Sequence, residues 1–452
     1  MFGIMMVLML GLSGEAGNEV LDFVDSKDYW QAKQVKVSVE AMLGELKPAE
    51  PVVDVDGVKT GRKQASVRRL MAIRTLGELK DARATATLTG LLKSAKPFEA
   101  DYARRALAAI SGRPLEAVKP DPKAMRQDVG LLPNGCGMVL HARFAAGRPI
   151  SMDEIVKKFP AEVNDDEKAS MRKEVTAMLV SFVEQTGNLR LDAVTVGLAS
   201  DVGPESGWMV VVARGQYDRD AVLSALKNTA GDDLSIMKMD GQEVIRSDDG
   251  EVNLILEGGK RLVMVAGPPA DEDEGGGLKQ QLQAVIGSLR TGKANVIKDR
   301  EMAKLVAGMD PANEVNLVMR LNDTYRETPF LKPFDTLTAT VRTGTRDTEW
   351  KLVAKGQDAE AIKKTVAEFK EALAEALADM KQAPPPYLTM VGPYLKMMES
   401  LKVEQDGTTV TLKTRSEGQT SGSVLFLLTV PYFSVGHAAG AAPDLAEPAV
   451  VE

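Results

Sequence analysis

The spacing of hydrophobic positions changes at about residue 130, and this change divides the chain into a helical part and a strand-rich part. In the first part, apolar residues recur every three or four positions within Ser66–Leu79, which predicts an amphipathic helix. A second helix is predicted over Ala82–Ser94. A third begins at Asp101 and ends before Gly112, a residue type that commonly follows a helix.

After about residue 130, short apolar runs separated by turn residues predict strands, and the pattern occurs twice in the same order. The matched pairs are Gly137–Phe144 with Val315–Leu321, Asp192–Val196 with Asp335–Ala339, and Trp208–Gln216 with Trp350–Gln357. The order predicts an internal duplication in which Trp208 and Trp350 are equivalent. The first copy alone holds an inserted helical stretch, roughly Ser151–Thr186. Its apolar face is predicted from Met171, Val175, Met178, Phe182 and Val183.

Each copy continues with a helix, further strands and a closing helix. In the first copy the helices are Asp218–Asn228 and Leu278–Leu289, around strands Leu234–Ser247, Val252–Leu256 and Arg261–Val265. In the second, a helix runs from Ile362 to Met380, strands follow at Leu401–Glu404 and Thr408–Thr414, and Ser423–Phe433 is the closing helix. This layout predicts an α+β fold with two related antiparallel-sheet domains and helices on one face. The two sheets either join edge to edge or face each other across a groove.

The resulting domain organisation has five parts. We predict a signal peptide over residues 1–16, a helical domain over 17–125, a first α+β repeat over 126–306 with a helical insert at 151–187, a second repeat over 307–434, and a disordered tail over 435–452.

Two resemblances support this division. The string SVRRLMAIRTLGELKDARATATLTGLLKS (Ser66–Ser94) resembles one HEAT repeat, and ADYARRALAAISG (Ala100–Gly112) resembles the first helix of the next. This resemblance implies a stacked helical binding surface and no particular chemistry. The segments LLPNGCGMVLHARF (Leu131–Phe144), WMVVVARGQYDRDAVLSAL (Trp208–Leu226) and IKDREMAKLVAGMDPANEVNLVMRL (Ile297–Leu321) resemble an uncharacterised family of exported bacterial proteins with repeated α+β domains. That family supplies no catalytic residues to transfer.

The N-terminus favours export. An apolar run, Phe2–Leu12, precedes the small residues Ser13, Gly14 and Ala16, as in a secretory signal, although no basic residue comes before Lys27. A buried first helix is the alternative.

The run within Ser423–Phe433 is too short to cross a membrane, and Pro431 interrupts it. We therefore expect an exported protein, periplasmic or extracellular, that is soluble or peripherally attached.

Composition limits the possible chemistry. The chain has 56 basic and 64 acidic residues, a net charge of −8, which argues against nucleic-acid binding. One cysteine excludes a disulfide framework, and two histidines leave few ligands for a metal. Cys136 and His141 are five residues apart, so strand alternation predicts opposite faces and no catalytic pair. The acidic loop Asp271–Glu274 lacks the ligand spacing of a calcium loop. No cofactor and no metal are expected.

One local feature stands out in this acidic protein. A basic cluster at the start of the helical part contains Lys59, Arg62, Lys63, Arg68, Arg69 and Arg74. Arginines on a helical-repeat surface suit carboxylate or phosphate groups, so the cluster predicts a binding site for a protein or an anionic envelope partner. A solvated helix start is the simpler interpretation. If the cluster is a free surface, reversing Arg68, Arg69 and Arg74 to Glu should leave melting unchanged.

We therefore predict a non-catalytic binding or scaffold protein. Two alternatives stay open at this point: an envelope hydrolase that uses carboxylates in the groove between the two α+β domains, and a structural component of the cell envelope. The oligomeric state is not indicated by the sequence.

Overall fold

The computed structural model describes most of the chain. The described residues are 21, 24–47, 60–94, 96, 98–113, 121–144, 164–200, 207–230, 234–268, 278–293, 295, 297, 299–327, 330–343, 347–382 and 395–417. The predicted signal peptide, the closing helix Ser423–Phe433, the acidic loop Asp271–Glu274 and the tail lie outside the described residues.

Helices account for the first part of the chain and recur between the strands. They are α1 (Ser26–Ala32), α2 (Val39–Glu45), α3 (Thr60–Leu79), α4 (Thr85–Leu91), α5 (Glu99–Ser111), α6 (Pro122–Val129), α7 (Asp165–Thr186), α8 (Arg219–Ala230), α9 (Leu278–Thr291), α10 (Arg300–Ala307), α11 (Asp323–Arg326) and α12 (Ala359–Lys381). The three helices predicted between Ser66 and Ser111 are confirmed as α3, α4 and α5. Gly112 ends α5 with a φ of 68°, the left-handed conformation that glycine adopts without strain.

Antiparallel strands form one continuous sheet. They are β1 (Cys136–Arg143), β2 (Leu189–Ala199), β3 (Met209–Tyr217), β4 (Leu234–Met239), β5 (Gln242–Ser247), β6 (Val252–Glu257), β7 (Arg261–Ala266), β8 (Val315–Arg320), β9 (Phe334–Thr343), β10 (Asp347–Gly356), β11 (Lys402–Asp406) and β12 (Thr409–Glu417). The order across the 12-stranded sheet is β11-β12-β10-β9-β8-β1-β2-β3-β7-β6-β5-β4. Helices with an antiparallel sheet confirm the predicted α+β class.

The two predicted sheets join edge to edge rather than across a groove. Strand β1 pairs with β8 in antiparallel register, with Leu140 opposite Leu317, so both halves belong to the same sheet. Helices α6, α9 and α10 pack on one face, which we call the front face. Helices α8 and α12 pack on the other, the back face. The prediction of helices on one face is therefore wrong for the first half, whose apolar side chains alternate to both faces and are covered on both.

The two halves have the same strand arrangement. Outward from the β1–β8 pair, the orders are β1-β2-β3-β7-β6 and β8-β9-β10-β12-β11. The repeated glycines Gly215 and Gly356 share a physical role. A Cβ at Gly215 would lie 1.8 Å from the Arg190 carbonyl oxygen, and a Cβ at Gly356 would lie 2.0 Å from the Pro333 carbonyl oxygen. Only glycine permits this approach of backbone to backbone. A common origin of the halves stays a prediction.

The tryptophans do not obey the predicted equivalence. Trp208 lies just before β3 and packs on the front-face core, whereas Trp350 is buried in the back-face core. The first copy has one more residue than the second between its tryptophan and the repeated glycine, Gly215 or Gly356. Because successive side chains of a strand point to opposite faces, one extra residue places the tryptophan on the other face of the sheet. The prediction of one strand over Leu234–Ser247 is also wrong. This segment is a hairpin with Asp240 and Gly241 at its tip.

The insert contributes to the helical part of the molecule. Leu179, Val180 and Val183 of α7 belong to one core with helices α1–α5. Ion pairs join the same elements, with Lys33 Nζ 2.6 Å from Glu184 Oε1 and Arg172 Nη2 3.0 Å from Asp28 Oδ2. Of the predicted apolar face, Val183 is buried, whereas Met178 is wrong because its side chain is 45% exposed. The side chains of Met171, Val175 and Phe182 lie outside the described part of the structure. The other buried side chains described on α7 are Thr176, Leu179 and Val180.

The centre of the helical core is aromatic. Trp30 is completely buried, and its indole N–H donates to Thr75 Oγ1 at 2.8 Å. The neighbouring Tyr29 ring meets the Trp30 ring edge to face, with centroids 5.1 Å apart. The HEAT resemblance of this region stays a prediction. In the part of the chain described above, no helix combines the length and the apolar character needed to cross a membrane.

Candidate functional site

The basic cluster predicted as a binding site lies at α3. Lys59 and the side chains of Arg62 and Lys63 are outside the described part of the structure. The other three arginines of the cluster are described in full. Each of them makes contacts within the protein.

Arg68 holds α2 against α3. Its Nε and Nη2 atoms each donate to the Glu45 carboxylate at 2.6 Å, a two-bond arrangement that fixes both side chains. The guanidinium also lies over the Trp30 ring, 5.7 Å from its centroid. Arg68 therefore covers the aromatic centre of the helical core.

Arg69 neutralises a buried acid. Its Nε donates to Glu99 Oε1 at 2.6 Å, and its Nη1 donates to the Leu46 carbonyl oxygen. The Glu99 side chain is only 5% exposed. Burial by itself raises the pKa of this carboxyl. Hydrogen bonds from Ser94 and Arg69 outweigh that effect and place the pKa below its usual value.

Arg74 ties the first described residues to α3. Its Nη1 donates to the carbonyl oxygens of Leu21 at 2.9 Å and Val24 at 2.8 Å, and its Nε donates to Glu78 at 2.8 Å. The side chain is 13% exposed. These arginines thus stabilise the helical core, and their role in binding a partner stays a prediction.

The lone cysteine and the described histidine share a face, against expectation. The register of β1 with β2 shifts between Cys136 and Met138, so Gly137 is bulged and the alternation skips one residue. Cys136 then packs in the front-face core, where its Sγ lies over Gly197. His141 is also on the front face, opposite Thr195.

Neither side chain is prepared for nucleophilic chemistry. Burial raises the pKa of Cys136 to about 12, and the thiol donates to the Pro133 carbonyl oxygen at 3.3 Å. A nucleophilic cysteine must be a thiolate, so this thiol is inert at neutral pH. His141 is 4% exposed, and its Nδ1 is 2.8 Å from Thr195 Oγ1. Burial, with the nearby charges of Arg143 and Arg214, lowers the pKa of His141 to about 4.

A buried ion pair lies on the same face, between α6 and β3. Arg214 donates to both oxygens of Asp128, from Nε at 2.7 Å and from Nη2 at 2.6 Å. Burial raises the pKa of Asp128 even though Arg214 opposes the shift. Asp192, in the β2 bulge, also has a raised pKa because of burial, and it lies 3.0 Å from Arg190 Nε.

These acids are held by arginines rather than by one another. Both Asp128 oxygens accept hydrogen bonds from a guanidinium, an arrangement that stabilises structure and leaves no oxygen aimed at a ligand. Among the described residues, no three or more His, Cys, Asp or Glu side chains are placed to hold a metal ion. The Asp128–Arg214 pair therefore connects α6 to the sheet.

The second half of the sheet has a different front face. No described helix packs on the front of β9, β10, β12 and β11, and we call this surface the open face. Its strands present threonines and cations, including Thr338, Thr340 and the exposed Arg342 and Lys355. The face is polar, as is usual for the solvated side of an antiparallel sheet.

Three lysines cross the open face in one line. Lys351 of β10 lies opposite Lys413 of β12, which in turn lies opposite Lys402 of β11. We call these residues the lysine row. Lys413 Nζ is 3.1 Å from Glu404 Oε2, whereas Lys351 and Lys402 are exposed and form no ion pair with a described carboxylate. Neighbouring strands are about 4.8 Å apart, so the row spans about 10 Å.

Comparison with known proteins adds little to this geometry. No family model matches the sequence, and no curated protein matches it. Three crystal forms of TP0453 are similar to the chain at low level. Form III has a TM-score of 0.35 and 11% identity, with 66% of this chain and 97% of that chain covered. Form I has a TM-score of 0.34 and 10% identity, with 66% and 96% covered. Form IV has a TM-score of 0.33 and 13% identity, with 67% and 98% covered.

The lysine row was missed by sequence reasoning. Each lysine sits alone among alternating polar and apolar residues, which is ordinary for a strand with one solvated side. Lys351 and Lys413 become neighbours only through the register of β10 with β12. A count of charge at every second position of each strand would have shown cations on the polar side, without showing that they form a line.

Proposed function

We propose that the protein is a non-catalytic binding protein, and that its open face holds an acidic surface of a protein partner. The lysine row is the observation that supports this. Like charges directly opposite each other on neighbouring strands destabilise a sheet, and here three occur in succession. An anionic partner would remove that repulsion, and part of its binding energy would come from this relief.

The shape of the open face favours a broad partner over a small molecule. Small ligands bind in concave pockets with apolar walls, whereas the lysine row lies on an exposed sheet surface among threonines. Lysine ammonium groups act as point charges that attract carboxylates without a fixed geometry. Exposed, charged and adaptable surfaces of this kind suit contact between proteins.

The mixture of charges favours a protein over a membrane. Acids accompany the lysine row, with Glu404 beside Lys413 and Glu349 3.6 Å from Arg415. A uniformly anionic lipid surface would repel these carboxylates, whereas a protein surface can place opposite charges against both signs.

We expect the double substitution Lys351→Glu with Lys402→Glu to weaken binding of poly-glutamate, the acidic polypeptide probe, by roughly tenfold. The estimate follows from losing two exposed charge contacts, each worth up to about 1 kcal/mol. Titration of the full chain with labelled poly-glutamate at low and physiological salt measures the change. Binding by the unchanged protein should weaken as salt rises, because exposed charges are screened.

The matched control places the same two charges on another surface. Lys363→Glu with Lys364→Glu changes two exposed lysines of α12, on the back side of the sheet. This variant should bind poly-glutamate as the unchanged protein does. An equal loss of poly-glutamate binding in both variants would show that net charge, and not the lysine row, causes the effect. Binding to phosphatidylglycerol vesicles without binding to poly-glutamate would refute a protein partner.

Export is the second part of the proposal, and it has its own test. The apolar run Phe2–Leu12 and the small residues up to Ala16 support a cleaved signal, so we expect a mature N-terminus near residue 17. Mass spectrometry of the protein isolated from its native cells measures this directly. An intact Met1 in the purified protein would contradict export by this route.

A further inference from the structure

The sheet has two edges, and they differ in how they are protected. At one end, β11 carries Lys402, Glu404 and Asp406, and nearly all of its residues are exposed. Charged side chains of this kind discourage the addition of another strand. At the other end, β4 has the sequence Leu-Ser-Ile-Met-Lys-Met, with Lys238 as its single charge. The β4 edge therefore carries one charge against strand addition, whereas the β11 edge carries three.

The hairpin shows which backbone groups of β4 have no partner in the described sheet. Met239 pairs with Gln242 across a two-residue turn, Asp240 and Gly241, whose φ angles are 50° and 82°. Positive φ at both positions is the type I′ turn, in which Met239 C=O accepts from Gln242 N–H. Bonding alternates along an antiparallel strand, so the N–H and C=O groups of Leu234, Ile236 and Lys238 point away from β5.

The side chain at the middle of this edge is apolar and exposed. Ile236 is 41% exposed on the back face, at the border of the core formed by Ile245 and Leu254. Its own backbone groups are among those that point outward. An apolar side chain and unpaired peptide groups at one position mark a site where a further strand can add.

We propose that the strand added at this edge is β4 of a second copy of the chain, giving a two-fold dimer with one continuous sheet. A two-fold axis perpendicular to the sheet places a residue opposite itself and keeps each side chain on its own face. The outward backbone groups of Leu234, Ile236 and Lys238 must face the same groups of the other copy, so the axis passes through one of these residues or through Ser235 or Met237 between them. The register is thus limited to five choices.

Charge and burial select the register centred on Ile236. With the axis at Lys238, two ammonium groups would lie opposite each other, which is unfavourable. With the axis at Leu234, the strands overlap over fewer residues and leave Ile236 unpaired. With the axis at Ser235 or Met237, only two of the three outward residues of each strand are paired with β4 of the other copy. With the axis at Ile236, the two exposed isoleucines cover each other, and each Lys238 lies opposite a Leu234 of the other copy. All three outward residues of each strand are then paired.

Engineered cysteines test this register. Opposite residues of a hydrogen-bonded pair have Cα atoms about 5.5 Å apart, within the range that a disulfide spans. Ile236→Cys should therefore give a disulfide-linked dimer under mild oxidation of the full chain. Lys238→Cys should not, because its two copies would be separated by four residues along the strands, about 13 Å. The native Cys136 is buried and supplies no competing thiol.

Sedimentation of the proteins without added cysteines tests the dimer itself. The unchanged chain should be dimeric at micromolar concentration, and Ile236→Lys should raise the dimer dissociation constant by roughly tenfold or more, because it places two charges at the axis. Met178→Lys, which changes an equally exposed apolar residue on α7, should leave the dimer intact. A monomeric chain, or a dimer unaffected by Ile236→Lys, would overturn the proposal. So would cross-linking through Lys238→Cys in place of Ile236→Cys.

Discussion

Arg69→Glu is expected to lower the free energy of unfolding by about 3–5 kcal/mol, the range observed when one partner of a buried ion pair is removed. The Glu99 side chain is 5% exposed and accepts from Arg69 Nε at 2.6 Å. The substitution removes the close counter-ion of this carboxylate, leaves only the exposed Lys96 at 3.5 Å, and adds a second negative charge beside it. The Leu46 carbonyl oxygen loses its donor as well.

Urea unfolding followed by circular dichroism measures the change, and Arg104→Glu is the control. Arg104 pairs with Asp101 at 2.7 Å, but its side chain is 65% exposed, so its replacement should change stability by no more than about 1 kcal/mol. Equal losses for the two variants would show that the Arg69 contact is not special. The expected result is the opposite of the unchanged melting predicted for a free arginine surface.

Acidification is expected to destabilise the protein through His141. Its pKa is about 4 in the folded protein against an ordinary 6.5. Above pH 6.5 the imidazole is neutral in both states and its contribution is complete. Between pH 6.5 and 4 the His141 imidazole is protonated in the unfolded chain but stays neutral in the folded protein, so stability falls as pH falls. A difference of this size corresponds to about 3 kcal/mol.

A comparison of His141→Gln with the unchanged protein isolates this contribution. Free energies of unfolding are measured in urea at several values between pH 7 and pH 4. Both proteins keep the same carboxylates and the other histidine, His437, so the difference between their pH profiles reports His141. The variant should lose less stability across this range. If the two proteins lose stability in parallel as the pH falls, the folded protein protonates His141 without loss of stability, and the prediction is wrong.

The local elements were largely predictable because their signals are local. Helix α5 ends where Gly112 takes a left-handed conformation, and β8 follows the apolar run Val315–Leu321. The face of the sheet on which a side chain lies was harder to predict, because one bulged residue reverses the alternation of side chains for the rest of the strand. Gly137 brings Cys136 to the face of His141, and such a bulge has no signature in a single sequence beyond the glycine itself.

Long-range contacts explain why the candidate site was misplaced. Arg69 and Glu99 are 30 residues apart, and Arg214 and Asp128 are 86 residues apart. A basic run in the sequence therefore looks the same whether its charges face solvent or neutralise buried acids. The lysine row raises the converse difficulty, because Lys351, Lys413 and Lys402 are separate in sequence and meet only through strand register.

The position of α7 within the helical core has a consequence for the order in which the protein folds during synthesis. Leu21 N–H donates to Asn188 Oδ1 at 3.1 Å, and Leu179, Val180 and Val183 complete a core that otherwise comes from residues 21–106. The ribosome releases the N-terminal helices first, while these partners are still unsynthesised. The helical core therefore closes only after β1 and the insert have emerged. Until then the nascent chain exposes the apolar side chains that α7 will cover, and exposed apolar surface of this kind favours aggregation.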